Sequence, residues 1–378
     1  MKIPFYNFKS LHHIQFQKQV ETRFAEILKA NSFVEGKYNL QFENDFSLMQ
    51  KSQYCLLVAN GTDALEISLK ASGVQPGDLV GLPGITFFAT AEAIINVGAQ
   101  PVFIDIDSET GLICPESFSR VTSKYSLKAV IPVHIYGLPA PMDKIEQIAK
   151  NKNIAIIEDA AQAFGSFFDA ENRRPVGSTN NLVTFSFYPT KNLSAMGDAG
   201  AILTQDNQMM QAIKSLRNHG RGSESLIGRN SRCDHLQAAV IHLKLQEAQK
   251  LNQKRKEVAQ YYYKHLKFLN DSLLPEKYLP LSSWHLFPIR IRTYEVRKRL
   301  QCFLTNSEIG CAPYYEKSMS QEKALAEFEG ETKKAEDLAG RILCLPMNPF
   351  ISENEVEFIS GQIKAFFYTT TNERTLNN

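Results

Sequence analysis

The apolar positions of the chain change texture along its length. Between residues 54 and 204, short continuous apolar runs occupy 54–59, 79–82, 101–105, 128–134, 154–158, 182–187 and 200–204. Continuous rather than alternating hydrophobicity is the mark of strands buried on both faces. Helical spacing fills the gaps at 62–72, 86–97 and 142–151. Strand and helix in alternation predict an α/β fold, with a mainly parallel central sheet sandwiched by helices. Ligands in such sheets lie beyond the carboxyl ends of the strands. After Asp206 the grammar changes. A helix is expected over 207–217, a loop at 220–228 (GRGSESLIG) and a long helical zone over 234–269. From about Pro280 a second unit follows, with a strand at 285–291 and helices at 295–304 and 355–367; the polar tail at 369–378 is expected to fray. A large domain, 1–250, and a smaller C-terminal α+β domain, 251–378, are expected.

A length of 378 residues exceeds one compact core, which agrees with two domains. Hydrophobic residues at 43% and charged residues at 22% exclude disorder and fibrous repeats. The 42 basic and 40 acidic residues leave a formal charge of +2, so no bulk field favours nucleic acid or an anionic membrane. No apolar run is long enough to span a bilayer and the first ten residues lack a secretory pattern, so a cytoplasmic protein is expected. The six cysteines (Cys55, Cys114, Cys233, Cys302, Cys311 and Cys344) form no CxxC pair; they read as free thiols, and no metal is expected.

Three places carry candidate chemistry. Lys191, in FSFYPTKNLSAMGDAGA, follows an apolar strand, where desolvation can lower its pKa and make it a nucleophile. Alone, such a lysine reads far more readily as a solvated loop residue. Asp159 ends the run 154–158, at the ligand-facing edge, where it could hold a cationic ring; the plainer reading is a cap for a helix starting near Ala160. Glu158 competes with it, but adjacent strand residues face opposite sides and only one can reach the site. The stretch ANGTDAL at 59–65 is a strand, a tight turn and a helix start, whose free N–H groups and Thr62 hydroxyl suit a phosphate. Capping by Thr62 or Asp63 is the ordinary alternative. GxGxxG, GxxxxGK[ST] and HExxH are missing. A strand-end lysine, a strand-end aspartate and a phosphate cradle in one α/β domain suit pyridoxal 5'-phosphate (PLP).

The chain resembles the DegT/DnrJ/EryC1/StrS family of sugar aminotransferases, within fold type I of the PLP-dependent transferases. The pieces that carry the likeness are ANGTDAL, PGITFFATAEAI, GAQPVFIDID, VHIYGLPAPMDKI, IIEDAAQAFGS, FSFYPTKNL, GDAGAI, LRNHG and GRNSRCDHLQAA, between about Phe42 and Leu251. The resemblance implies that Lys191 joins the cofactor aldehyde and shuttles a proton, and that Asp159 pairs with the pyridinium nitrogen. Phe87 would stack on the ring, with Phe88 ranked second. Gln162 would meet the ring hydroxyl. Thr62, Ser186 and the N–H groups of Gly61 and Thr62 would hold the phosphate. Asn230 would reach the phosphate of the other subunit, which implies a homodimer with shared sites. Related dehydratases carry histidine in place of the lysine, so Lys191 implies transamination, with glutamate as donor and a nucleotide-linked keto sugar as acceptor. FYPTKNL favours 3-keto over 4-keto sugars.

The family's His-Tyr-Pro segment and the His-Leu-Gln element after it are replaced by Ala312–Pro313–Tyr314–Tyr315–Glu316 and Met319–Ser320–Gln321, which leaves the sugar and its nucleotide open. The alternatives are an aminotransferase for a cyclitol or other non-nucleotide ketone, and a PLP-binding regulatory protein without turnover. His134 reads as a core or turn residue. Arg217, His219 and Arg221 read as structural as readily as ligand-binding. The basic residues of 250–256 read as a solvated helix face.

Overall fold

The computed structural model describes residues 1–375. Its centre is a seven-stranded sheet of β1 (Tyr54–Val58), β2 (Leu79–Pro83), β3 (Gln100–Ile104), β4 (Leu127–Val130), β5 (Ala155–Asp159), β8 (Leu182–Ser186) and β9 (Gly200–Thr204). A small hairpin, β6 (Phe167–Asp169) and β7 (Arg174–Pro175), lies between β5 and β8 in the chain. The sheet order is β1-β9-β8-β5-β4-β2-β3. Strand β9 alone runs antiparallel to its neighbours β1 and β8; every other pairing is parallel. The C-terminal ends of β1, β2, β4, β5 and β8 therefore share one edge, and the start of β9 joins them there.

Helices cover this sheet: α1 (Phe8–Leu11), α2 (Ile14–Ala30), α3 (Lys37–Gln50), α4 (Gly61–Ala71), α5 (Ala89–Asn96), α6 (Pro115–Lys124), α7 (Met142–Lys152) and α8 (Asn207–Leu216). A 31-residue helix, α9 (His235–His265), leads to the smaller unit and contains position 250. That unit pairs β10 (Phe287–Arg290) antiparallel with β11 (Ile342–Leu345) and adds α10 (Tyr294–Asn306), α11 (Lys333–Ala339) and α12 (Glu353–Thr375). α12 continues into the segment expected to fray; residues 376–378 lie outside the described residues. No helix among the described residues is long and apolar enough to cross a membrane.

Each expected strand of the sheet is present. The differences are local. Regular strand in the run 128–134 ends at Val130, but the chain stays bonded to β5 through a Val133–Asp159 bridge before the turn that places Tyr136 at φ 61°. The helix expected from Thr86 starts at Ala89, and Thr86–Phe88 instead form a ledge at the end of β2. One apolar core joins both units: Val102, Tyr136, Trp284 and Leu343 belong to the same buried cluster. A second cluster lies under the start of α9. In it Phe187 packs edge-on to Phe42 and Phe46, with centroids 5.3 and 5.5 Å apart. Aromatic pairs of this kind contribute about 0.5–1.5 kcal/mol beyond area burial. They anchor the chain four residues before Lys191.

Candidate active site

The shared strand edge opens into a cavity of about 500 Å³. It receives Asn60, Gly61 and Thr62 after β1, Thr86, Phe87 and Thr90 after β2, Asp159 and Gln162 from β5, and Ser186 and Lys191 from β8. A second cavity of about 450 Å³, lined by Phe164, Phe167, Arg173 and Lys256 among others, contains no strand-end carboxylate and no helix N-terminus.

Lys191 sits in a tight loop, where its N–H donates to the Tyr188 carbonyl at 2.8 Å. Its side chain keeps a partly open face toward the cavity. Dense packing nevertheless lowers the amine pKa from the ordinary 10.5 to about 8, and the nearby Asp159 charge opposes the shift. His285 approaches from the smaller unit. It is buried, and its pKa is driven well below the usual value by burial first and then by the positive charges of Lys191 and Arg255. An asparagine oxygen only accepts, so the 3.2 Å contact from His285 Nδ1 to Asn192 Oδ1 requires the proton on Nδ1.

Asp159 is buried and faces the cavity. Its Oδ2 accepts from the Thr90 hydroxyl at 2.9 Å, and its Oδ1 from the Ala161 N–H at 3.1 Å. It caps no helix, since 160–166 is a series of turns. Glu158 points the other way, into a closed polar nest. His134 Nε2 lies 2.9 Å from it, Asn181 Nδ2 donates at 2.8 Å and the Thr179 hydroxyl donates as well. The Ala140 N–H donates to His134 Nδ1 at 2.9 Å, so this ring holds its proton on Nε2 and donates it to Glu158. His134 is thus a core turn residue.

Helix α4 begins at the cavity wall. Its cap is Asn60, whose side chain accepts from the Asp63 N–H at 2.8 Å, in place of the Thr62 or Asp63 caps considered from sequence. The N–H groups of Gly61 and Thr62 have no acceptor among the described residues. Ser186 closes over this turn so tightly that a Cβ on Gly61 would stand 2.8 Å from the serine Cβ. Phe87 is exposed on the cavity side, whereas Phe88 packs into the core. Gln162 is buried; its Oε1 accepts from the Tyr136 N–H at 2.7 Å and its Nε2 donates to the Tyr315 hydroxyl at 2.9 Å.

Asn230 is not brought to this cavity by its own chain. It is exposed, bridged to Asn218, and its Oδ1 accepts from Arg232 at 2.8 Å. Arg217 is structural: its guanidinium binds Glu43 at 3.0 Å, Glu35 at 3.3 Å and the Leu57 carbonyl. The solvated face expected over 250–256 is corrected at Arg255. That side chain is buried and reaches the Met347 carbonyl at 3.1 Å, because α9 is covered there by the smaller unit. The sequence reading missed Tyr6, Thr90 and His285 and left Tyr314 and Tyr315 without an assigned role; all five line the cavity. Tyr6 and Tyr314 join hydroxyls at 3.2 Å across 308 residues of chain. The one available signal was the departure of 312–316 from the family pattern.

The donor set fits PLP. A buried carboxylate with two partners still offers lone pairs to a ring nitrogen, two free helical N–H groups and two hydroxyls suit a phosphate, and a lysine with a lowered pKa suits an aldehyde. A family model described as the DegT/DnrJ/EryC1/StrS aminotransferase family matches residues 15–364. The chain is 34% identical to the erythromycin biosynthesis sensory transduction protein EryC1 of Saccharopolyspora erythraea, over 97% of this chain and 100% of that one. It is 34% identical to the UDP-N-acetyl-3-dehydro-alpha-D-glucosamine 3-aminotransferase of Acidithiobacillus ferrooxidans, over 93% and 95%. The crystal structure of NtdA from Bacillus subtilis with bound cofactor PMP superposes with a TM-score of 0.87 at 29% identity, covering 97% of this chain and 85% of that one.

Proposed function

The chain belongs to the DegT/DnrJ/EryC1/StrS aminotransferase family, and on that premise we propose that it is a PLP-dependent enzyme that moves an amino group from glutamate to a nucleotide-linked keto sugar. A 3-keto sugar is favoured over a 4-keto sugar; the FYPTKNL segment and the name of the Acidithiobacillus relative support that choice. The single observation that carries the reading is the convergence of Lys191, Asp159 and the open N-terminus of α4 on one cavity.

When bound, the cofactor supplies an aldehyde that takes up the amino group and an electron-poor ring that accepts the electrons released at the substrate carbon. The protein does the rest. Asp159 keeps a positive charge on the ring nitrogen, and Thr90 and the Ala161 N–H fix the carboxylate for that task. Gln162 holds the ring hydroxyl, and Phe87 covers the ring face. Gly61, Thr62 and Ser186 hold the phosphate, and Asn230 of a second copy completes that grip in a homodimer with shared sites. Lys191 Nζ binds the aldehyde and, once displaced, carries a proton between the substrate carbon and the cofactor. Its lowered pKa keeps a usable fraction of the amine neutral near pH 8. In this reading residues 1–250 hold the cofactor, residues 251–378 close the cavity, and the enzyme works in the cytoplasm.

A second reading, a regulatory protein that keeps the cofactor without turnover, has one observation in its favour, the name of the Saccharopolyspora relative, a sensory transduction protein. Absorbance separates the two. Glutamate bleaches the visible band of the PLP-loaded enzyme, and a panel of keto nucleotide sugars then restores it with formation of an amino sugar detected by mass spectrometry. A band unmoved by glutamate or any other amino donor rejects the aminotransferase.

A further inference from the structure

The hydrogen-bond geometry around Gln162 leaves one hydrogen unassigned. The backbone N–H of Tyr136 can only donate, so the atom of Gln162 it meets at 2.7 Å is the amide oxygen. The amide nitrogen must then face Tyr315 at 2.9 Å. An amide NH₂ can only donate, so the phenol oxygen of Tyr315 accepts. The hydroxyl hydrogen of Tyr315 is not used in that bond, and it has no acceptor among the described residues.

The position of this phenol is well determined. The Tyr136 hydroxyl donates to the Tyr314 carbonyl at 2.7 Å, and Phe5 stacks on the Tyr314 ring at 5.9 Å. Tyr315 lines the same cavity as Lys191 and Asp159, with its ring centroid 6.2 Å from that of Phe87. Burial raises its pKa, and the nearby Asp159, Cys344 and Tyr314 add to the rise, so the hydroxyl keeps its proton. The side chain is half-buried and lines the cavity, so an occupant of the cavity is what can accept this hydrogen.

We propose that Tyr315 is a cofactor-binding residue whose hydroxyl donates to the ring oxygen of PLP beside Gln162. This rests on the reading of the cavity given above. Tyr315 then has two effects. It holds the Gln162 amide in the orientation that leaves its second N–H for the ring oxygen, and it brings a second donor to the same atom. Two donors favour the deprotonated form of that oxygen and lower the pH at which the loaded protein changes its visible absorbance.

The test compares the wild type, Tyr315→Phe and Tyr262→Phe, each loaded with PLP. Tyr262 is a buried control whose hydroxyl donates to the Pro346 carbonyl at 2.7 Å, away from the cavity. Tyr315→Phe is expected to raise the absorbance midpoint by about one pH unit and to weaken PLP binding to the stripped protein about tenfold. Tyr262→Phe is expected to lower the melting temperature and leave both readouts alone. A folded Tyr315→Phe protein with the wild-type midpoint and affinity overturns the proposal. A wild type that takes up no PLP overturns the functional reading itself, so the two failures are distinct.

Discussion

Glu158 and Asp159 are chain neighbours with opposite duties. Glu158 is locked in a closed nest with His134, Thr179 and Asn181, while Asp159 turns its carboxylate to the cavity beside Thr90. The pleat of β5 separates them. Substitution should separate them too. Asp159→Asn is expected to lower turnover at least about a hundredfold with little change in melting temperature, because the ring nitrogen loses its charge partner. Glu158→Ala is expected to cost about 3–5 kcal/mol of stability, because it strands buried donors. Denaturant unfolding and steady-state kinetics on both variants test the pair; equal effects on either scale would refute the division.

Lys191→Ala is expected to remove the visible band and all turnover while the circular dichroism spectrum stays that of the wild type. Borohydride reduction of the PLP-loaded wild type, followed by peptide mapping, should place the label on Lys191. A label on another lysine would defeat the assignment.

The pH dependence follows from the lowered Lys191 pKa. The native amine loses its proton near pH 8, and the unfolded one near 10.5. Between these values the unfolded chain binds more protons, so this group makes the cofactor-free protein more stable as pH rises through that window. The same neutralisation makes the amine reactive. The rate of PLP capture by stripped protein should therefore climb with pH and level off above about 8, as stopped-flow absorbance can record. A rise that continues toward pH 10 would contradict the shift.

Gly61→Ala should strike the phosphate cradle alone. Its Cβ would stand 2.8 Å from that of Ser186, so α4 and β8 must part to admit it. The expected result is PLP affinity reduced about tenfold or more, with Lys191 still labelled by borohydride. Equilibrium titration of the stripped protein measures it; unchanged affinity would show that the phosphate lies elsewhere.

The strands were legible because they are buried on both faces and therefore largely apolar, as Tyr54–Val58 (YCLLV) illustrates. Lys191 and Asp159 were legible because strand ends mark the ligand edge. Asn60 escaped notice as the cap of α4, since Asn60, Thr62 and Asp63 could each serve and only backbone geometry chooses among them. Tyr6 and His285 lay beyond reach for another reason. They meet the site through long-range packing, and no local pattern encodes a contact between residues 6 and 314. The helices at 14–30 and 37–50 were missed as well; α3 mixes its polar and apolar positions too evenly to show a clear stripe.

Helix α9 has a mechanical consequence. Its first half packs Ala238 and Ile241 under the Lys191 loop, and Lys244 reaches Ser194 at 2.9 Å. Its second half sends Arg255 to Met347 and Tyr262 to Pro346. One unbroken rod is thus clamped at both ends, like an axle seated in two bearings. Rocking of one half against the other would have to bend it.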